Sequence, residues 1–251
     1  MNHSLSTNYE KQSIIGTPVP LGRRLAIIAS MVLVATLAAS AQNMELLQKL
    51  AAVKQAVGEN KQRLRQYQWI ETTQLTLKGD AKAPTQKLCV YGPDGQVQKT
   101  PIGPPPQPPS GGRLKQRVIE KKKGEMQEYM DEVKGLLSLY VPPDAQAMER
   151  AYQAGKVSIN PAGGSVNLVF MGYALPGDRM TLAFDLAAKK ITSLNINTYM
   201  GQTKDAVTLQ VQMASLPDGT NYAQQTVLNA SAKQLVVTTT NANYQKMGGG
   251  Y

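Results

Sequence analysis

Histidine, cysteine, tryptophan and phenylalanine are scarce in this 251-residue chain, which holds one His, one Cys, one Trp and two Phe. The lone Cys89 can form no intramolecular disulfide, so the fold must hold by its core even in an oxidising compartment. The lone histidine is His3. A chain processed downstream of it has lost the commonest general base, and with it any Ser-His-Asp or Cys-His arrangement and any His-based metal site. No apolar run reaches the roughly 20 residues that cross a bilayer; the longest, Leu25 to Ala38, is about 14.

That run is the first positive feature. Arg23-Arg24 precede it, and Ala39-Ser40-Ala41 follow it with small residues at both positions a signal peptidase reads. This is the n-region, h-region and cleavage site of a signal peptide, residues 1–41, cut after Ala41. Gly22-Arg23-Arg24-Leu25 leaves twin-Arg export open beside general secretion. No cysteine stands just after the h-region to carry a lipid anchor. The mature chain, 42–251, is expected to be soluble, periplasmic or secreted, and one domain of about 210 residues is large enough for a sizeable core. Cleavage takes Lys11, Arg23, Arg24 and Glu10, lowering the net charge from +10 to +8.

From Met44 to Tyr67, Leu46, Leu50, Val53, Val57, Leu64 and Tyr67 keep to one helical face, interrupted by Asn60. The period then becomes two over Gln68 to Lys78, where Trp69, Leu75 and Leu77 alternate with Ile70, Thr72, Gln74 and Thr76. Gly92-Pro93-Asp94-Gly95 links Lys87–Tyr91 to Gln96–Thr100 as a hairpin. Residues 101–112 hold too many prolines for a helix or a central strand and read as an exposed loop. A helical insertion, 113–155, follows. Met126, Met130, Val133, Leu137 and Tyr140 form its stripe, Pro142-Pro143-Asp144 stop it, and a short helix over Ala145 to Ala154 ends at Gly155.

From Lys156 onward, turn sequences recur between alternating runs: Val166, Leu168 and Phe170; Met180, Leu182 and Phe184; Leu194 and Ile196; Val207, Leu209, Val211 and Met213. About six antiparallel strands are expected, apolar on one face and Asn-, Gln- and Thr-rich on the other. The greasy face needs helices to cover it. The fold class is therefore α+β, with a curled antiparallel sheet over an N-terminal helix and the mid-chain helical insertion.

An N-terminal helix running into Tyr67-Gln68-Trp69-Ile70-Glu71, helices midway, Arg179-Met180-Thr181-Leu182-Ala183-Phe184-Asp185 with Lys189-Lys190-Ile191 beyond the turn, and closing strands Leu216–Tyr222 and Lys233–Tyr244 together resemble one superfamily. It is that of the bacterial outer-membrane lipoprotein carriers and related periplasmic lipid-binding lipoproteins. The resemblance spans nearly the whole mature chain. It implies an unclosed half-barrel with helices tucked inside, and a cavity that accepts acyl chains. The carriers' early-strand arginine, which locks their lid helices, has no counterpart in 68–78, so the implication is a lipid cavity rather than lipoprotein chaperoning.

The expected activity is a non-catalytic carrier or binder of a lipid or lipid-modified ligand, with no cofactor and no metal. Periodicity nominates its lining: Trp69, Leu75, Leu168, Phe170, Leu182, Phe184, Leu209 and Val211 from strands, with Met126, Met130, Val133 and Leu137 from the helical lid. The same residues would fill an ordinary core in a cell-envelope interaction or structural module, the alternative reading. Cys89 reads as a small buried hydrophobe. Glu71, Asp94, Asp178, Asp185 and Asp218 single out no catalytic pair, three of them lying at Pro/Gly turns. Arg113, Lys115, Arg117, Lys121, Lys122 and Lys123 concentrate charge at the start of the insertion. Such a cluster suits water or an anionic membrane surface; nucleic acid is not expected, since no aromatics interleave the charges.

Overall fold

The computed structural model describes residues 48, 51, 55–104 and 113–248. The expected signal peptide, most of the first helix and residues 105–112 of the Pro-rich loop lie outside the described residues. Residues 55–64 are helical, but the helix stops there: 65–66 turn, and Tyr67 opens the first strand instead of closing the helix.

The strands before the insertion are β1 (Tyr67–Leu77), the two-residue β2 (Asp80–Ala81), β3 (Thr85–Tyr91) and β4 (Val97–Ile102). Two helices follow, α1 (Arg113–Leu137) and α2 (Ala145–Gln153). The chain then runs through β5 (Val157–Ala162), β6 (Ser165–Met171), β7 (Arg179–Asp185), β8 (Lys190–Tyr199), β9 (Ala206–Ser215), β10 (Asn221–Ala230) and β11 (Leu235–Lys246). Seven strands follow the insertion where periodicity counted about six. The protein is α+β, its antiparallel sheet curled and unclosed.

All pairings are antiparallel, in the order β4-β3-β1-β11-β10-β9-β8-β7-β6-β5 with β2 beside β1. Two joins are non-sequential: β3 on β1, across the short β2, and β1 on β11, which welds the N-terminal strands to the last one. Pro101 and Ile102, expected in the loop, extend β4. Pro161 lies in β5. Both prolines are tolerated because β4 and β5 are the sheet's edges, where a ladder does not require every N–H.

Local chemistry sets the connections. Gly163-Gly164 is a two-residue hairpin loop with both φ positive, +46° and +85°, matching the primed turns that follow strand twist. Asp144 caps α2, its carboxylate accepting from the Ala147 N–H at 2.7 Å, and Gly155 ends it at φ +66°.

Candidate functional site

Register places the nominated strand residues on one face. Phe170, Met180, Ile196, Leu209, Leu228, Val237 and Leu75 are successive ladder partners across seven strands. Leu168, Leu182, Leu194, Val211, Thr226, Thr239 and Thr73 form the next row. Phe184 and Trp69 share this face by two-residue periodicity. The rows change character as they cross the sheet. Over β6 to β8 they are apolar and buried, with Leu168, Phe170, Met180 and Leu182 each at 0 % exposure. Over β10, β11 and β1, threonines enter and Leu75, Val237, Thr226, Thr239 and Thr73 are only half-buried.

The helical insertion is fixed to this face at its C-terminal end. Tyr140, just past α1, is fully buried, and its hydroxyl lies 2.8 Å from Thr198 Oγ1 and donates to Asp178 at 2.5 Å. Thr198 follows Leu194 and Ile196 on the apolar side of β8. Asp178 is itself buried at 1 % exposure. It also accepts backbone N–H bonds from Tyr173 at 2.6 Å, Ala174 at 3.0 Å and Leu175 at 2.6 Å, so the β6–β7 loop wraps one carboxylate. Burial, and then the bond to Asp178, raise the Tyr140 phenol well above its ordinary value. Along α1, Val133 is fully buried while Met126, Met130 and Leu137 are half-buried. Midway, Lys233 lies 5.6 Å from the Tyr129 ring centroid, tying α1 to the link between β10 and β11.

The opposite strand ends hold an aromatic group. Trp69 stacks on Tyr244 at 5.4 Å and meets Tyr91 at 5.6 Å, and Tyr222 lies 4.4 Å from Tyr244. The indole N–H donates to Asn241 Oδ1 at 3.1 Å. Burial, then the neighbouring Tyr222, raises the Tyr244 phenol. Here Asn60 acquires its purpose: its amide accepts from the Asn221 N–H and donates to the Asn221 C=O, both at 2.6 Å, clasping helical segment 55–64 to the start of β10. The break in the apolar seam was legible in the sequence; the partner 161 residues away was not.

The carboxylates singled out in the sequence are largely spent on turns. Asp94 accepts from Gln96 N–H, Asp185 from Ala187 and Ala188, and Asp218 from Thr220 N–H and the Tyr67 hydroxyl. Glu71 differs. It lies on the apolar face and pairs with Lys99 Nζ at 2.6 Å. Cys89 is fully buried, and burial raises its thiol. Among the described residues, no group of three or more His, Cys, Asp and Glu side chains is placed to hold a metal ion, and no helix is long and apolar enough to cross a membrane.

A cleft of about 180 Å³ is lined by residues including Asp185, Lys190, Met213, Ser215 and Asn221, and by none of the twelve nominated residues. Arg117, Lys121, Lys122 and Lys123 are exposed on the first half of α1, next to Val118 at 54 % exposure. The side chains of Arg113 and Lys115 lie outside the described residues.

No protein-family model and no curated protein matches the sequence. Two solved structures are similar. A DUF1329 family protein from Desulfovibrio piger is 9 % identical, covering 80 % of this chain and 94 % of its own, at a TM-score of 0.40. An outer membrane lipoprotein-sorting protein domain from Vibrio parahaemolyticus is 11 % identical, covering 78 % and 93 %, at a TM-score of 0.31.

Proposed function

We propose that this protein is a non-catalytic carrier or binder of a lipid or lipid-modified ligand, acting in the periplasm or outside the cell after loss of residues 1–41. The observation that carries the reading is half-burial on both the long helix and the sheet. Met126, Met130 and Leu137 on α1 and Leu75, Val237 and Thr239 on the sheet are neither exposed nor sealed. Methionine repacks readily around irregular apolar guests, and a ligand site needs an apolar lining with few polar groups. The acyl chain would lie over the β10–β11–β1 part of the face, with Trp69, Leu209 and Val211 at its margins. Leu168, Phe170, Leu182, Phe184 and Val133 then serve as the floor against which the site is built. The exposed Arg117, Lys121, Lys122 and Lys123 would bring α1 to an anionic membrane surface, each cation contributing about 1 kcal/mol there.

Complete burial of Leu168, Phe170, Met180 and Leu182 favours a second reading, an envelope interaction module whose core is filled throughout. Native mass spectrometry with organic extraction, on protein recovered from a periplasmic expression host without detergent, separates the two. A stoichiometric lipid supports the carrier. Ligand-free protein that also refuses a fluorescent fatty acid ends that reading and leaves the module.

A further inference from the structure

Building on the carrier reading, we infer that the ligand is an amphiphile with a single anionic headgroup, and that Lys87 and Lys99 receive this headgroup at the β1–β3–β4 end of the apolar face. The two ladder rows crossing that face carry no charge. Beside them Glu71, two residues beyond Thr73 on the same face of β1, retains only 12 % side-chain exposure and is paired with Lys99. Taking the Glu71 carboxylate out of water costs free energy that pairing with the 40 %-exposed Lys99 returns only weakly, so a carboxylate held beside an apolar surface is poorly accounted for by stability.

The cations outnumber the anion. Lys87 is the ladder partner of Glu71, so its side chain leaves the sheet on the same face, and Lys99 is the ladder partner of Cys89, which faces Trp69. Lys87 is half-buried and has no ion-pair partner among the described residues. Two lysines against one glutamate leave one positive charge at the edge of the apolar rows. Leu75 lies four residues along β1 from Glu71, a span of about 13 Å. A chain on the rows would therefore bring its polar end to these ammonium groups. A carboxylate or a phosphodiester, each singly charged, would accept charge-assisted bonds from both. A neutral headgroup would leave Lys87 uncompensated.

The test uses the delipidated full chain with a fluorescent fatty acid and its methyl ester, titrated separately. The acid should bind more tightly than the ester. Lys87→Ala should weaken the acid about tenfold, the loss of one charge-assisted bond, while leaving the ester unchanged. Lys87→Arg should restore the acid, and Glu71→Gln, which removes the competing anion, should tighten it severalfold. Displacement of the acid by lysophosphatidylglycerol but not by monoacylglycerol extends the site to phosphate headgroups; displacement by unlabelled fatty acid alone assigns it to carboxylates. If acid and ester bind the wild type equally, or Lys87→Ala weakens both alike, the headgroup site is overturned and the carrier stands. Failure of the wild type to take up either probe overturns the carrier itself, and the headgroup site with it.

Discussion

The two halves of the sheet's inward face are built from the same ladder rows but to different standards of closure. Over β6, β7 and β8, strict alternation of Val, Leu, Ile, Met and Phe yields side chains at or near zero exposure. Over β10, β11 and β1, the same rows continue into Thr226, Thr239, Thr73 and Leu75, which remain half-buried. The first half is closed; in the second, Leu228 is buried but its row neighbours Leu75 and Val237 are only half-covered. The difference predicts unequal costs of truncation. Phe170→Ala, which opens a cavity in the closed half, should destabilise by about 3–5 kcal/mol in urea unfolding. Leu75→Ala should cost about 1 kcal/mol, in proportion to its smaller burial. Equal losses at the two positions would mean that the halves are packed alike.

The anchor of the insertion is the next largest expectation. Asp178→Asn keeps the shape but swaps two acceptors for one acceptor and a donor facing N–H groups, so some of the four donors around Asp178 must go unsatisfied while buried. A loss of about 3 kcal/mol follows, each buried orphan costing about 1–3 kcal/mol. Tyr140→Phe removes two bonds, to Asp178 and to Thr198, and should cost about 2 kcal/mol. Hydrogen exchange gives the sharper reading. Loosening of α1 without loosening of β10 and β11 would tie Tyr140 to the closed half, whereas uniform loosening would erase the distinction.

How much of this was legible follows from the range over which each interaction acts. Alternation in Val166-Asn167-Leu168-Val169-Phe170 is a local consequence of a strand with one wet face, so the strands, their inward sides and the Gly163-Gly164 turn could be read directly. The helix stop at Pro142-Pro143-Asp144 was equally local. The boundary at Tyr67 was misread because an apolar residue satisfies a helical stripe and a strand alternation equally well, and only pairing with Lys246 decides. Pro101 and Ile102 were assigned to the loop because proline argues against a central strand; at an edge that argument lapses. What could not be read were pairings across distance: Asn60 with Asn221, Tyr140 with Asp178, Lys99 with Glu71. Each joins residues separated by 28 to 161 positions, and no local pattern marks which polar residue will find which.

Both halves contain a phenol that resists ionisation, Tyr140 in one and Tyr244 in the other. A raised phenol contributes stability below its unfolded value of 10 and loses it as pH rises through the folded value. A spectrophotometric alkaline titration should therefore show these two tyrosines silent until unfolding. If the half around β1 opens more readily, Tyr244 titrates before Tyr140, and Tyr244→Phe removes that early step. Simultaneous appearance of both, only at global unfolding, would mean the two halves open as one.

The smallest effect is expected at the rim of the more open half, where the Tyr67 hydroxyl donates to Asp218 at 2.6 Å. That bond, with the Thr220 N–H, lowers Asp218 from 3.8 to about 2. The sign is that of a depressed carboxylate: its contribution is complete above 3.8 and vanishes as pH falls through about 2. The group is exposed, so solvent screens most of its worth. Tyr67→Phe should move the Asp218 titration back toward 3.8 and shift the acid limb of the unfolding curve slightly upward in pH, while stability at neutral pH changes little. Carboxylate chemical shifts followed by NMR between pH 5 and pH 1 resolve the move even where the melting curve does not. An Asp218 that titrates at its ordinary value in the wild type would place Tyr67 outside hydrogen-bonding reach in solution, and the junction of β1 with the β9–β10 turn would then be looser than its geometry implies.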